Sequence, residues 1–155
     1  MKTWKRERKT NIIVIMVETS NKVFKYWLFP VLWALVIFTF SSFQTAETTK
    51  IYWGDFIIKK TAHIVEYGVF AVLLYRAMIN SGMNKTSAMK SSVLISFLYG
   101  VTDEFHQSFT PGRGPTARDV IIDTIGAWFF VYGFIGNIKK FPERVQTWAR
   151  RVEVT

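Results

Sequence analysis

Residues 26–46 read YWLFPVLWALVIFTFSSFQTA, and this stretch decides the fold class. It contains 21 consecutive residues without Asp, Glu, Lys, Arg or His. A helix of about 20 such residues is long enough to cross the hydrocarbon core of a bilayer. Pro30 lies near the start of the stretch, where a proline is tolerated in the first helical turn or else kinks the helix. The stretch therefore predicts a transmembrane helix.

Three further segments of about twenty residues have a similar character: 61–80, 86–107 and 119–138. Each is strongly apolar in its middle and carries charged side chains near one end. A single membrane anchor followed by a small soluble helical domain would also fit this hydropathy. The distribution of charge distinguishes the two arrangements.

Basic residues outnumber acidic residues by twenty to eleven in the 155-residue chain, which gives a net charge of +9. If all four segments cross the membrane from a cytoplasmic N-terminus, fifteen basic residues fall on the inner side. The five on the outer side are Lys50, Lys59, Lys60, Arg113 and Arg118. Cytoplasmic loops of membrane proteins carry an excess of Lys and Arg. The charges therefore predict an all-α membrane protein, a bundle of four transmembrane helices with both termini cytoplasmic, and they argue against nucleic acid as a partner.

The same pattern divides the chain into three parts. Residues 1–22 form a basic cytoplasmic tail, 23–138 a transmembrane domain in contact with membrane lipids, and 139–155 a basic cytoplasmic C-terminal tail. Half of the residues are apolar and 17% are aromatic, which excludes a disordered chain. The absence of cysteine excludes disulfides, Cys-based metal sites and thiol nucleophiles.

The acidic residues are distributed in the opposite way to the basic ones. Seven of the eleven, and both histidines, fall outside the membrane or in the outer halves of the predicted spans. An ionised side chain that faces lipid costs about 2.5–3.5 kcal/mol, so these groups should face one another or a water-filled outer recess. The candidate ligand-binding residues of this recess are Lys60, His63, Glu66, Tyr67, Asp103, Glu104, His106, Gln107, Arg113, Asp119 and Asp123.

Helical geometry places the candidates of the second span on one stripe. At 100° per residue, Lys60, His63 and Tyr67 lie within about 60° of one another. In the third span, Tyr99 and Asp103 share one face with His106 and Gln107. The stripe of each helix can therefore face a single partner.

The fourth span begins with Asp119 and Asp123, which are one turn apart. Gly126 and Gly133 continue the same face, so a neighbouring helix can approach closely there. The segment before this span, residues 109–118 (FTPGRGPTAR), contains two glycines and two prolines and is predicted to be a turn that carries Arg113.

Four short blocks resemble the VanZ-like family of bacterial integral membrane proteins. The blocks are Phe40-Ser41-Ser42-x-Gln44, Lys60-x-x-His63-x-x-Glu66-Tyr67, Asp103-Glu104-x-His106-Gln107-x-Phe109-x-Pro111-Gly112-Arg113 and Asp119-x-x-x-Asp123-x-x-Gly126. The resemblance covers residues 26–133. It implies a multi-pass protein of the bacterial cytoplasmic membrane, in a family named for a member associated with low-level resistance to the glycopeptide teicoplanin. It implies no reaction.

Three functions remain open from the residues. In the first, the recess binds an anionic cell-envelope component, such as a lipid-linked head group or a wall precursor, through Lys60 and Arg113. In the second, the recess is the active site of a hydrolase or transferase, with His63, Glu66, Asp103 and His106 as candidate catalytic residues. In the third, the polar residues form ion pairs that only fix the register of the helices, or they form an interaction surface for another membrane protein.

The motifs that would define a reaction are absent from the sequence. It contains no Gly-x-Ser-x-Gly, no His-Glu-x-x-His and no P-loop. No closely spaced histidine pair indicates a metal site, so neither a metal nor a cofactor is expected. The oligomeric state stays open.

Overall fold

A computed structural model describes residues 23–43, 52–110 and 115–154, and within those ranges the chain is helical and contains no strand. The predicted all-α fold is confirmed for this part of the chain. The helices are α1 (Val23–Ser41), α2 (Tyr52–Asn80), α3 (Lys85–Gln107), α4 (Ala117–Trp128) and α5 (Glu143–Arg151).

Short polar signals set the boundaries of the helices. The Asn84 side chain accepts a hydrogen bond from the Ser87 backbone N–H at 2.9 Å and starts α3. Gly82, with φ of 91°, supplies the left-handed conformation that the turn between α2 and α3 needs. Thr116 starts α4 in the same way, because its hydroxyl accepts from the Asp119 N–H at 3.3 Å. The tight turn makes α2 and α3 antiparallel neighbours.

The predicted fourth span is not a uniform α-helix. After Trp128 the chain continues as a π-helix (Phe129–Phe134) and then as a 3₁₀-helix (Ile135–Lys140). Asn137 leaves helical geometry at φ −108° and ψ 15°, and its amide donates to the carbonyl oxygens of Tyr132 and Gly133. This side chain competes with the regular helical hydrogen bonds, and the chain turns towards α5.

The predicted close approach at Gly126 is confirmed. A Cβ atom at Gly126 would lie 2.5 Å from the carbonyl oxygen of Ile64, so α2 and α4 touch through their backbones there. Gly133 differs from the prediction, because a Cβ atom there would meet the side chain of Phe129 from its own helix. The register of Lys60 and His63 against Asp119 and Asp123 follows from the contact at Gly126.

Three helical segments are long and apolar enough to cross a membrane: Val23–Ser41, Ile57–Asn80 and Ala117–Lys140. The segment predicted as a further span, 86–107, forms α3 but is not among these three. Its hydropathy is low because the face that it buries is polar or small. The buried residues of α3 are Ala88, Met89, Ser92, Ser96, Gly100, Asp103, Glu104 and Gln107.

The segment predicted as a C-terminal tail contains α5, which the sequence analysis missed. The Arg76 guanidinium on α2 donates to the Val152 carbonyl oxygen at 2.6 Å and to the Glu153 carboxylate at 3.0 Å. Glu153 has a left-handed φ of 57°, which turns the chain back so that Val154 is only 2% exposed. Residues 152–154 are therefore held against the end of the bundle opposite Lys60.

Candidate functional site

Polar side chains from four helices meet at one end of the bundle, where α1 and α3 end and where α4 begins. We call this group the polar cluster. Its members are Ser41, Ser42, Lys60, His63, Tyr67, Asp103, Glu104, His106, Gln107, Thr116, Asp119 and Asp123. The structure therefore brings together nine of the eleven predicted site residues through contacts of their side chains.

Asp103 is the centre of the α1–α3 side of the cluster. Its Oδ2 atom accepts hydrogen bonds from the Ser41 hydroxyl and from the Gln107 side-chain amide, both at 2.8 Å. Gln107 also donates to the Ser41 oxygen at 3.2 Å. All three side chains are buried, so α1 is attached to α3 by a polar contact that excludes water. A buried hydrogen bond to a charged group contributes roughly 1.5–3 kcal/mol, which suffices to fix the position of these helix ends.

Two carboxylates connect α4 to its neighbours. Glu104, which is 5% exposed, accepts a hydrogen bond from the Thr116 backbone N–H at 2.7 Å, just before the first turn of α4. Asp119 forms an ion pair with Lys60 of α2 at 2.5 Å. Helix N-termini favour negative charge, so both carboxylates also interact favourably with the α4 dipole.

His63 and Asp123 form a second contact between α2 and α4. The atoms His63 Nδ1 and Asp123 Oδ1 are 3.1 Å apart, and Asp123 is 1% exposed. When Asp123 is ionised it can only accept, so the ring donates from Nδ1, and in the neutral ring Nε2 is then a proton acceptor. The sequence predicts Glu66 and Asp103 as the catalytic carboxylates beside the histidines. The carboxylate hydrogen-bonded to His63 is Asp123, and Glu66 lies within electrostatic reach of the same ring.

The second histidine lies at the α1–α3 contact. His106 Nε2 is 3.0 Å from the Ser42 hydroxyl oxygen, and the His106 ring centroid is 4.3 Å from that of Phe38. His106 is half-buried, whereas Ser42 is exposed. Tyr99, predicted on the same face, instead donates its hydroxyl to the Ala34 carbonyl oxygen at 2.6 Å. Its role is to hold α1 against α3.

Several acceptor atoms of the cluster are buried and have no hydrogen bond within the described ranges. They are Asp103 Oδ1, Glu104 Oε1 and Asp123 Oδ2, and the Tyr67 hydroxyl oxygen is buried in the same way. Gly100 packs beside them, since a Cβ atom there would lie 3.7 Å from Asp123 Oδ2. Buried acceptors without donors are costly, so these atoms favour water or a ligand that brings N–H or O–H groups.

Other predicted features of the site have different outcomes. Arg113 lies outside the described residues. Among the residues that the structure describes, no group of three or more His, Asp or Glu side chains is arranged to hold a metal ion. Ser41, Ser42 and Thr116 are site residues that the sequence does not predict. The two serines belong to the Phe40-Ser41-Ser42 block, which was the available signal, and Thr116 contributes mainly its backbone N–H.

The fold and the polar cluster define a multi-pass helical membrane protein that gathers buried carboxylates and two histidines at one end of the bundle. The sequence matches the profile of the VanZ/LLP1 family over residues 4–138. Because the match covers most of the chain, the protein belongs to this family, as the resemblance predicted. The match also includes residues 4–22, which the short blocks do not reach. No curated protein and no solved structure matches the chain.

Proposed function

We propose that this VanZ/LLP1-family protein binds an anionic component of the bacterial cell envelope at the polar cluster. The observation that carries the proposal is the set of buried acceptor atoms of Asp103, Glu104 and Asp123 that lack donors in the described structure. A lipid-linked head group or a wall precursor carries hydroxyl and amide donors that such acceptors bind. Lys60 and Arg113 are the residues that we assign to its anionic group.

The proposal includes four crossings, with the polar cluster on the outer side and both termini in the cytoplasm. The outward face of α3 supports a membrane position for this helix despite its low hydropathy. Its exposed side chains include Leu94, Leu98, Val101 and Phe105, whereas the face towards the bundle is polar. A soluble helix has the opposite arrangement, with its apolar stripe buried. The positive-inside distribution then assigns the α5 end to the cytoplasm.

A susceptibility assay tests the binding proposal. The full chain is expressed in a bacterial host without it, and we measure both teicoplanin susceptibility and the amount of fluorescent teicoplanin bound to cells. We expect the chain to reduce susceptibility and drug binding. His106→Ala and Arg113→Ala should abolish both effects at equal expression, and Thr102→Ala, on the exposed face of α3, should preserve them. Unchanged effects in the first two variants would contradict the proposal.

The His63–Asp123 contact favours a second candidate function, a hydrolase or transferase that acts on a lipid or wall-precursor head group. In this reaction His63 Nε2 takes a proton from water or from an acceptor hydroxyl, while Asp123 holds the ring. The test is product formation from a radiolabelled lipid-linked wall precursor by the purified chain. His63→Gln should abolish turnover but retain precursor binding. Equal loss of binding and turnover would indicate a structural role for His63.

A further inference from the structure

A second candidate site lies at the opposite end of the bundle, between α1, α2, the π-helical and 3₁₀-helical continuation of α4, and α5. It is a half-enclosed cavity of about 670 Å³. Eleven of its thirteen lining residues are apolar, among them Phe29, Leu73, Phe130 and Trp148. This volume lies within the usual range of ligand sites, about 300–1,000 Å³. The cavity is separate from the polar cluster.

The two polar residues of the lining are both arginines, Arg76 and Arg151. Arg76 is engaged by Val152 and Glu153 and also lies over the rings of Tyr26 and Phe29. Arg151 is exposed, and within the described ranges the structure gives its guanidinium no hydrogen bond or ion pair. Among the described residues that line the cavity, Arg151 is therefore the cation that no carboxylate of the chain neutralises. Its positive charge is available to a ligand.

Helix α5 resembles an interfacial helix on the side that borders the cavity. Arg144, Trp148 and Arg151 lie within about 60° of one another on a regular helix. Trp148 is 51% exposed. Tryptophan and arginine side by side on an amphipathic helix are typical of the boundary between headgroups and acyl chains. Lys139 and Lys140 precede α5, so the whole segment is basic.

We infer that this cavity is a binding site for one anionic phospholipid of the adjacent leaflet, with an acyl chain among Leu73, Phe130 and Trp148 and the headgroup phosphate at Arg151. The apolar lining fits the chain, and the unpaired cation fits the phosphate. In the topology proposed above this leaflet is the cytoplasmic one. The lipid would join α5 to α1 and α2 at the inner end of the bundle.

Native mass spectrometry of the purified full-length chain tests this site. The protein is prepared in detergent micelles with equal amounts of phosphatidylglycerol and phosphatidylcholine. We expect one retained phosphatidylglycerol and a loss of about five- to tenfold in its retention in Arg151→Gln. Arg150→Gln is the matched control, since it removes the same charge from the neighbouring residue, whose guanidinium contacts Thr147 and not the cavity. This control should retain the lipid as the wild type does.

A cavity-filling variant, Leu73→Trp, tests the acyl-chain part of the site. It should lose the retained phosphatidylglycerol while keeping the thermal unfolding temperature of the wild type, and Val72→Phe provides a second variant of the same kind if Leu73→Trp unfolds early. Equal losses in Arg151→Gln and Arg150→Gln would overturn the inference in favour of diffuse attraction. Displacement of phosphatidylglycerol by inorganic phosphate would indicate a simple anion site. If the wild type is a dimer and Leu73→Trp is a monomer, the occupant of the cavity is a second copy of the chain. Either result overturns the inference.

Discussion

At the residue scale, the cost of burying charge explains why the polar cluster could be predicted. Lys60, His63, Asp103 and Asp123 are incompatible with lipid, and their positions near one end of each span leave a shared space as the low-energy arrangement. Their individual partners could not be predicted. A small rotation of one helix decides whether His63 meets Asp123 or another carboxylate, and the sequence of a single helix carries no signal for that rotation.

The Lys60–Asp119 pair tests whether the cluster is structural or functional. Lys60→Met leaves Asp119 without this partner, and we expect a loss of about 1–3 kcal/mol in the free energy of unfolding, because both side chains are only partly exposed. The swapped variant Lys60→Asp with Asp119→Lys should recover most of that stability. Unfolding in detergent measures both.

The same swapped variant separates the alternatives in the susceptibility assay. A pair that only fixes helix register tolerates the exchange of its charges, whereas a ligand site does not. We therefore expect the swapped variant to be folded and inactive. A folded variant with full effect on teicoplanin binding would support the structural alternative.

The contacts of Glu153 predict a dependence of stability on pH. A hydrogen bond with Tyr26 is the largest cause that lowers the pKa of the Glu153 carboxyl below its ordinary value of 4.5. The positive charge of Lys25 lowers this pKa further, as do the charge and the hydrogen bond of Arg76. A lowered folded-state pKa stabilises the protein above the ordinary pKa, and this contribution disappears as the pH falls through the lowered value. Thermal unfolding should show the wild type to be more stable than Glu153→Gln at pH 6. The unfolding temperatures of the two proteins should converge in acid below pH 4.5. A difference between them that grows in acid would contradict a lowered pKa for Glu153.

At the element scale, the glycine on α4 is the feature that sequence reasoning placed correctly, because small residues mark close helix contacts in membranes. Gly126→Ala puts a Cβ atom 2.5 Å from the Ile64 carbonyl oxygen and 2.9 Å from its Cα atom, so the α2 and α4 backbones must separate. We expect a loss of about 1–3 kcal/mol in the free energy of unfolding.

Gly100→Ala is the control for this substitution. A Cβ atom at Gly100 would meet its nearest neighbour, the Tyr67 ring, at 3.6 Å, which is an ordinary van der Waals contact. We expect its unfolding free energy to be close to that of the wild type. If both alanine variants have the same free energy of unfolding, backbone contact at Gly126 does not hold α2 and α4 together.

Two elements could not be predicted from hydropathy. The turn at Asn137 depends on its side-chain amide, which binds the carbonyl oxygens of Tyr132 and Gly133 instead of solvent. Helix α5 is short and basic, and it is ordered by tertiary contacts of Val152 and Glu153 with Arg76 and Asn80. Neither signal is visible in a hydropathy average over a window of residues.

At the scale of the whole molecule, large apolar side chains face outwards around a core that is apolar along most of α2 and polar along α3. Serines, acids and an amide of α3 are buried, and large apolar side chains of α1, α3 and α4 are exposed. This arrangement is stable only where the surroundings are apolar, since exposed patches of this size cause association in water. The exposed surface of the described helices therefore suits a surrounding of lipid, and polar contacts join the helices at the polar cluster.

Cysteine labelling tests whether the polar cluster faces the outer side of the membrane, as we propose. The chain has no cysteine, so Ser108→Cys, exposed after α3, and Lys139→Cys, exposed before α5, each provide a single thiol. A membrane-impermeant maleimide is added to right-side-out vesicles. We predict that the thiol at position 108 reacts at once and that the thiol at 139 reacts only after the vesicles are permeabilised. Immediate reaction at 139 with protection at 108 would contradict the account.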